Sequence, residues 1–280
     1  AWWTQVALPR RARAAGADVL HHPLPALARR TPCPQVVTVH DLAFERLPEA
    51  FDPRFRAFAR RAHRRAVRRA AAVVCPSRTT AMDVAALWGV PWERIVVAPH
   101  GPGQEPAPRP DPPPAEEHFL YVGDAEPRKN LKGLLAGYGR YRAEGGDVPL
   151  VLAGSAEVRA DGVRAEGRVD SARLADLYAR ALVLVHPALH EGFGMTPLEA
   201  MHAGVPVLAA RSPGVTETCG DAADYFDPRD PDALARELEA VAGDADRRAD
   251  LCARGARRAV ERSWAESARR HLEAYTVTVR

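Results

Sequence analysis

The chain has 280 residues, of which 46% are hydrophobic and 27% charged, a composition typical of a globular protein with room for two modest domains. A net charge of only +3 argues against nucleic acid as a partner, and no apolar run approaches the length of a membrane span or a signal peptide. The four cysteines are scattered without paired spacing, which predicts reduced thiols in a cytoplasmic protein.

Short apolar runs alternate with helical patterns along the chain, which predicts α/β architecture with parallel sheets. In the first part we expect strands at 17–21, 35–40, 72–75 and 94–98, and helices at 54–71 and 77–88. The helix at 54–71 is rich in arginine and has an apolar stripe at helical spacing, formed by Phe51, Phe55, Phe58, Ala62 and Ala66. We expect the stripe to lie in the core and the arginines in solvent. The alternative is peripheral contact of this helix with an anionic membrane surface.

A proline-rich segment, 101–114, follows and predicts an interdomain linker. Beyond it a second α/β unit is expected, with strands at 118–122, 149–153, 182–186 and 205–209 and helices at 130–143, 171–181 and 197–203. Three further helices are expected at 230–242, 246–262 and 264–275. In this tail Asp230-Pro-Asp232 and Asp244-Ala-Asp246 have the spacing of a metal motif, but their position favours helix capping. The pattern predicts two Rossmann-like halves.

The segment from His190 to Leu208 contains two carboxylates, Glu191 and Glu199, with seven residues between them. A predicted strand precedes it. Thr196 is expected to cap the helix that follows, with Pro197 as the first helical residue and Glu199 as the acid of a capping box. The N–H groups of this helix start would bind phosphate, and Glu191 would lie beside them at the carboxyl edge of the sheet.

Taken alone, Glu199 fits a simple capping box, and Gly192 and Gly194 fit a tight turn. The whole string, however, closely resembles the Glu-x7-Glu signature of retaining glycosyltransferases of family 4, which have the GT-B fold of two Rossmann-like domains facing a cleft. The resemblance implies that Glu191 holds hydroxyls of the donor sugar and that Glu199 binds the ribose. It also implies that the turn and helix start bind the nucleotide sugar through Gly192, Phe193, Gly194, Met195 and Thr196.

A second loop, Gly123 to Asn130, leaves the first strand of the second half and resembles the family's Gly-x4-Arg-Lys-Asn variant. Without the resemblance, Arg128 and Lys129 would fit a solvated basic pair. With it, they are expected to stabilise the departing diphosphate, and Gly123 to contact the nucleotide. Many members have arginine after this glycine, where the present chain has Asp124, so Arg128 is expected to supply that second charge.

Two weaker motifs also resemble the family. His40-Asp41-Leu42 resembles its His-Asp-Leu turn, which makes His40 the candidate for contact with the sugar and support of the transition state. The run from Gly167 to Asp170 resembles the loop near the nucleotide base and makes Val169 a candidate contact. For each, an ordinary turn is the competing interpretation.

The expected domains are 1–114, an acceptor-side domain ending in the linker; 115–265, a donor-binding domain; and 266–280, a helix crossing back to the first domain. Ala1 is preceded by no initiator Met, first strand or Gly-rich loop. The first domain is therefore expected to be incomplete, with roughly a hundred residues or fewer missing.

The resemblance implies a mannosyltransferase-like enzyme that moves a hexosyl group from a nucleotide diphosphate sugar to a glycan or lipid-linked acceptor. Neither a metal nor a cofactor is expected, and the protein is expected in the cytoplasm or peripherally at the inner face of the membrane. Two alternatives remain open. One is a catalytically incomplete nucleotide-sugar-binding module or accessory subunit, and the other is a GT-B-type nucleotide-sugar epimerase.

Overall fold

A computed structural model describes residues 2–103, 115 and 118–279, so most of the predicted linker lies outside the described residues. The chain divides into two compact units, one formed by residues 1–100 with 264–280 and the other by residues 101–263. In the described part of the chain, no helix combines the length and the apolarity that crossing a membrane requires.

The first unit is a four-stranded parallel sheet with helices on both faces. Its strands, in spatial order, are β1 (Leu20–His22), β2 (Gln35–Thr38), β3 (Ala72–Cys75) and β4 (Ile95–Val97). Its helices are α1 (Leu8–Ala14), α2 (Ala43–Arg46), α3 (Pro53–Arg69), α4 (Arg78–Trp88) and α11 (Trp264–Val279), the eleventh and last along the chain. Because α11 packs on β2, β3 and β4, the C-terminal segment completes one face of this sheet.

Helix α3 differs from the expectation. Phe55 and Phe58 are exposed, so the prediction that they lie in the core is wrong, whereas Ala66 is buried and Phe51 packs against the core as expected. The buried side of α3 is formed by Ala59, Ala66 and Val67, and these small side chains let the helix approach the sheet closely.

The second unit is a six-stranded parallel sheet. Its strands are β5 (His118–Val122), β6 (Leu150–Ala153), β7 (Val163–Gly167), β8 (Ala181–His186), β9 (Val207–Ala210) and β10 (Asp224–Phe226). Its helices are α5 (Leu131–Ala143), α6 (Ser171–Ala179), α7 (Met195–His202), α8 (Pro213–Cys219), α9 (Pro231–Gly243) and α10 (Ala245–Val260). Apolar clusters cover both faces of this sheet, and its central strands, β5 and β8, are buried except at Val122.

The spatial order of these strands is β7-β6-β5-β8-β9-β10. The chain therefore builds one side of the sheet from β5 to β7, returns to the centre, and builds the other side from β8 to β10. This is the doubly wound order of a dinucleotide-binding domain, in which ligands bind where the winding direction reverses. The reversal lies between β5 and β8 and brings together the loops that follow these two strands.

Candidate active site

The loop after β5 is fixed by Asn130, the only non-glycine residue with a positive φ, 56°, in the described part of the chain. Asparagine tolerates this left-handed conformation better than most residues. Its Nδ2 donates to the carbonyl oxygens of Pro187, at 3.2 Å, and Pro228, at 2.9 Å. In addition, the Leu189 N–H donates to the carbonyl oxygen of Arg128 at 2.9 Å. These hydrogen bonds hold the turn that carries Arg128 and Lys129 against the loop after β8.

Glu191 lies at the centre of the site and is buried. Its Oε1 accepts a hydrogen bond from Lys129 Nζ at 2.6 Å, and its Oε2 accepts one from Arg128 at 3.2 Å. Arg128 also pairs with the more exposed Glu126 at 2.8 Å. Three of the four predicted catalytic residues, Glu191, Lys129 and Arg128, thus lie together at the switch point of the sheet, where the winding direction reverses between β5 and β8.

His186, the last residue of β8, is a member of this cluster that the sequence analysis missed. Its Nε2 lies 3.6 Å from Oε1 of Glu191, beyond hydrogen-bond distance, and has no hydrogen-bond partner among the described residues. The signal available in the sequence was a polar residue closing an otherwise apolar strand. Burial lowers the pKa of His186, which favours the neutral imidazole.

The electrostatics of the cluster favour a charged Glu191. Burial alone would raise the pKa of this carboxyl. The interaction with His186 and the positive charges of Lys129 and Arg128 outweigh burial and hold the pKa well below its usual range. Glu191 is therefore a carboxylate at neutral pH, ready to accept hydrogen bonds but not to donate a proton.

Helix α7 begins earlier than expected, and the capping-box interpretation is wrong. The N-cap is Gly194, whose φ of 101° is left-handed, and no side chain caps the helix. Met195 and Thr196 are therefore helical residues, and Pro197 occupies the third position, where its missing N–H breaks no intrahelical bond. The left-handed backbone at Gly194 thus begins the helix. The first N–H groups of α7 face the carboxyl edge of the sheet.

Glu199 is buried and is the fifth residue of α7, whereas a capping box has its acid at the third position. The hydroxyl of Tyr178 lies 3.4 Å from its Oε2. A Cβ atom on Gly103 would lie only 2.6 Å from its Oε1, so this glycine permits the close approach of the segment that enters the second unit. Glu199 is thus positioned by tertiary packing.

The rest of the Gly192–Gly194 turn is also buried. The Thr218 hydroxyl, on α8, donates to the carbonyl oxygen of Phe193 at 2.5 Å. A Cβ atom on Gly214, also on α8, would collide with the carbonyl oxygen of Glu191. Helix α8, which the sequence analysis did not predict, therefore packs directly against the backbone of the turn and supports it.

The loops after β5, β6 and β7 form the rim of the same edge. Asp124, next to Gly123, forms an ion pair at 3.1 Å with Arg168, so the acid that replaces the family's arginine binds an arginine from another loop. The Ser155 hydroxyl accepts from the N–H of Ala125 at 3.0 Å. Val169 is half-buried and packs against the core.

His40 lies in the first unit, just beyond β2. Its Nε2 donates to the carbonyl oxygen of Pro23 at 2.9 Å, and its Nδ1 lies 3.4 Å from Nε2 of His100. Asp41 accepts from the N–H of Ala43 at 3.0 Å and so closes the expected turn. The contact of His40 with a donor sugar stays a prediction.

The acidic pairs near the C-terminus cap helices, as expected. Asp230 accepts from the N–H groups of Asp232 and Ala233, and Asp244 accepts from that of Arg247. Across the residues for which the structure gives a placement, no group of three or more His, Cys, Asp or Glu side chains is arranged to hold a metal ion.

Comparison with known proteins follows the division into two units. Residues 106–258 match the family model for glycosyl transferases group 1, and residues 1–102 match that for glycosyltransferase family 4. O-antigen chain mannosyltransferase B of Escherichia coli is 34% identical over 172 residues, which cover 56% of this chain and 45% of that protein. D-inositol 3-phosphate glycosyltransferase of Streptomyces scabiei is 38% identical over 122 residues, covering 43% and 27%. The match to each curated relative thus spans less than half of its length.

Solved structures with the same fold include sucrose-phosphate synthase from Thermosynechococcus elongatus, with a TM-score of 0.79 at 20% identity over 96% of this chain and 76% of that one. WaaG, a glycosyltransferase involved in lipopolysaccharide biosynthesis, has a TM-score of 0.71 at 17% identity over 97% and 80%. These likenesses show the fold, two Rossmann-like domains of GT-B type. With the matching family models, they identify the chain as a GT-B glycosyltransferase that belongs to the glycosyl transferases group 1 family, with a first unit of the family 4 type.

Proposed function

We propose that this glycosyltransferase moves a hexosyl group from a nucleoside diphosphate sugar to a glycan or lipid-linked hydroxyl, with retention of anomeric configuration. The observation that carries the proposal is the contact of Glu191 with both Lys129 and Arg128 at the switch point of the sheet. A carboxylate beside two cations fits a ligand that offers hydroxyls and phosphates side by side.

The diphosphate is assigned to Lys129, Arg128 and the first N–H groups of α7. A compact ammonium suits a phosphate oxygen in a tight site, and the positive end of the helix dipole adds to the attraction. Both favour the negative charge that builds up on the departing diphosphate in the transition state.

Glu191 is assigned to the sugar and Glu199 to the ribose. The low pKa of Glu191 supports an acceptor of hydrogen bonds from hydroxyl groups. For Glu199, the support is a buried carboxylate on the first turns of the helix to which the phosphates are assigned.

In the proposed front-face reaction, the acceptor oxygen attacks the anomeric carbon as the bond from that carbon to the phosphate oxygen breaks. The acceptor proton passes to the departing phosphate oxygen, so no protein carboxylate forms a covalent intermediate. The protein contributes orientation and charge stabilisation. Arg128 and Lys129 supply the positive charge, so we propose that no divalent metal is needed. Equal rates of transfer with a chelator and with Mg²⁺ would support this, and loss of transfer with the chelator would refute it.

Mannose is the preferred sugar, with guanine as the base. The support is that the curated relatives include O-antigen chain mannosyltransferase B and the serotype-specific mannosyltransferase WbdA of Escherichia coli. UDP-glucose and dTDP-rhamnose are the competing donors.

The test is calorimetric titration of the chain with GDP, UDP and dTDP, together with the variants Lys129→Ala and Glu199→Ala. We expect one nucleotide to bind and both substitutions to weaken it. Incubation with the matching sugar nucleotide, with and without a glycan acceptor, then separates the three activities. Transfer supports the proposal, whereas binding without turnover indicates a binding module and a new nucleotide sugar without acceptor indicates an epimerase.

A further inference from the structure

The outer face of α3 is an unusual surface, because it exposes two phenylalanines on an arginine-rich helix. Phe58 is 72% exposed and Phe55 is 50% exposed. Phe55 also stacks on Phe51, with ring centroids 6.0 Å apart, and Phe58 follows Phe55 three residues further along the helix.

The arginines of this helix divide into two groups. It has eight arginines and neither Asp nor Glu. Arg60 pairs with Glu45, and Arg56 donates to the carbonyl oxygen of Phe44. Arg64 and Arg69 donate to the carbonyl oxygens of Leu87 and Arg29. In contrast, the side chains of the other four, all exposed, form neither an ion pair nor a hydrogen bond with any residue that the structure describes: Arg54, Arg61, Arg65 and Arg68.

These four arginines and Phe58 share one stripe of the helix. Positions 54, 58, 61, 65 and 68 follow one another at intervals of three or four residues, which places them on the same face. Phe55 lies beside the stripe, three residues from Phe58. The face is thus cationic along its length and aromatic near its first turns.

The preference of the chain for arginine over lysine explains only half of this pattern. The chain has two lysines among 39 basic residues, so arginine is abundant everywhere, and a solvated arginine needs no special account. The same bias does not produce exposed phenylalanines. An apolar side chain held in water forgoes the free energy of burial, and adjacent exposed rings usually mark a contact surface.

We propose that this face, Phe55, Phe58 and the four unpaired arginines, binds the surface of a bilayer that contains anionic phospholipids. Guanidinium groups bind lipid phosphates through bidentate hydrogen bonds, and phenylalanine rings enter the boundary between headgroups and acyl chains. Bilayer contact accounts for both halves of the pattern at once. Phosphate alone would leave the rings unexplained.

The test is co-sedimentation of the chain with vesicles of phosphatidylcholine, with and without phosphatidylglycerol. We expect binding to the anionic vesicles only, with an affinity that falls as salt rises. The triple variant Arg54→Gln, Arg61→Gln, Arg65→Gln should bind about a hundredfold more weakly. The double variant Phe55→Ser, Phe58→Ser should bind about tenfold more weakly while keeping its salt dependence.

A charge-matched control separates this face from total charge. Arg159, Arg236 and Arg257 are exposed and lie in the second unit. Replacing these three with Gln changes the net charge equally and should leave vesicle binding unchanged. Because all the substituted side chains are exposed, thermal unfolding should show each variant as folded as the parent.

Four results would overturn the proposal. These are failure of the parent chain to bind anionic vesicles, equal loss of binding in the control triple variant, unchanged binding of the phenylalanine variant, and full displacement from vesicles by millimolar inorganic phosphate. The last result would indicate a site for free phosphate. Binding of duplex DNA through the same face, without vesicle binding, would identify a nucleic acid partner. Nucleotide binding by the second unit is measured separately and does not bear on these outcomes.

Discussion

The Nζ atom of Lys129 lies 2.6 Å from Oε1 of Glu191, so the two side chains neutralise each other at the centre of the site. If the proposed function is correct, a diphosphate bound there would compete with Glu191 for the ammonium group, and sugar hydroxyls would compete with Lys129 for the carboxylate. The ion pair would then hold both side chains in place before the ligand binds, and binding would exchange their partners. Such preorganisation would limit the cost of reorienting charges during the reaction.

The first prediction concerns the two lysines of the chain. Lys129→Ala removes the ammonium from the site, and we expect the dissociation constant for the preferred nucleoside diphosphate to rise about 10- to 100-fold, the range for a lost charged hydrogen bond. The dissociation constant for the nucleoside monophosphate should rise by a smaller factor. Lys132, exposed on the next turn, is the matched control, and Lys132→Ala should leave calorimetric titrations unchanged. Equal effects of both substitutions would contradict the assignment.

A second prediction separates sugar binding from phosphate binding. Glu191→Gln keeps the shape of the side chain but releases Lys129 and Arg128 from their carboxylate. We expect the nucleoside diphosphate to bind as tightly as before or more tightly, while the rate of sugar transfer falls about 10²- to 10³-fold. Glu126→Gln, which removes the exposed partner of Arg128, should change the rate by less than about threefold. Loss of nucleotide binding in Glu191→Gln would contradict the assignment of Glu191 to the sugar and not to the phosphates.

Much of this site could be predicted from the sequence, because loops at the ends of parallel strands meet at one edge. Glu191 and Lys129 each follow an apolar run that reads as a strand. That β5 and β8 are neighbours is not visible in either run and came from the resemblance. His186 was missed because one polar residue at the end of a strand has many simpler explanations.

Two other features could not be read from the sequence. Helical periodicity on α3 identified an apolar stripe that includes the buried Ala66, but it did not show that Ala59 and Val67 face the sheet in place of Phe55 and Phe58. The support that α8 gives to the turn rests on Gly214, and a glycine required for a close tertiary approach looks in sequence like any turn glycine. Both depend on contacts between distant segments.

Gly214 leads to a third prediction. In Gly214→Ala the new methyl group collides with the carbonyl oxygen of Glu191, so the turn has to shift. We expect a loss of about 1–3 kcal/mol in the free energy of unfolding, together with slower sugar transfer. The control is Gly139→Ala, since Gly139 is in α5 and its Cβ would meet no atom within 4 Å. That variant should gain about 0.5–1 kcal/mol. Equal stabilities by urea unfolding would contradict the collision.

The last prediction concerns pH and the histidines of the first unit. Burial and neighbouring histidines lower the pKa of His21 and of His100 from 6.5 to about 4. The unfolded chain therefore binds protons at these positions as pH falls from 6.5 towards 4, whereas the folded chain does not. The first unit should lose stability across this window. Glu191 in the second unit also has a lowered pKa. Its contribution to stability is lost only as pH falls below the ordinary glutamate pKa of 4.5, which lies outside most of this window.

The tryptophans provide a selective measurement, since all five (Trp2, Trp3, Trp88, Trp92 and Trp264) lie in the first unit. Urea unfolding followed by tryptophan fluorescence should give a lower midpoint at about pH 5 than at about pH 7. In His21→Gln, His100→Gln this difference should shrink, because two of the groups that take up protons on unfolding are gone. His202→Gln, in the second unit, should leave it unchanged. If the double variant kept the full pH dependence, other groups would have to carry it.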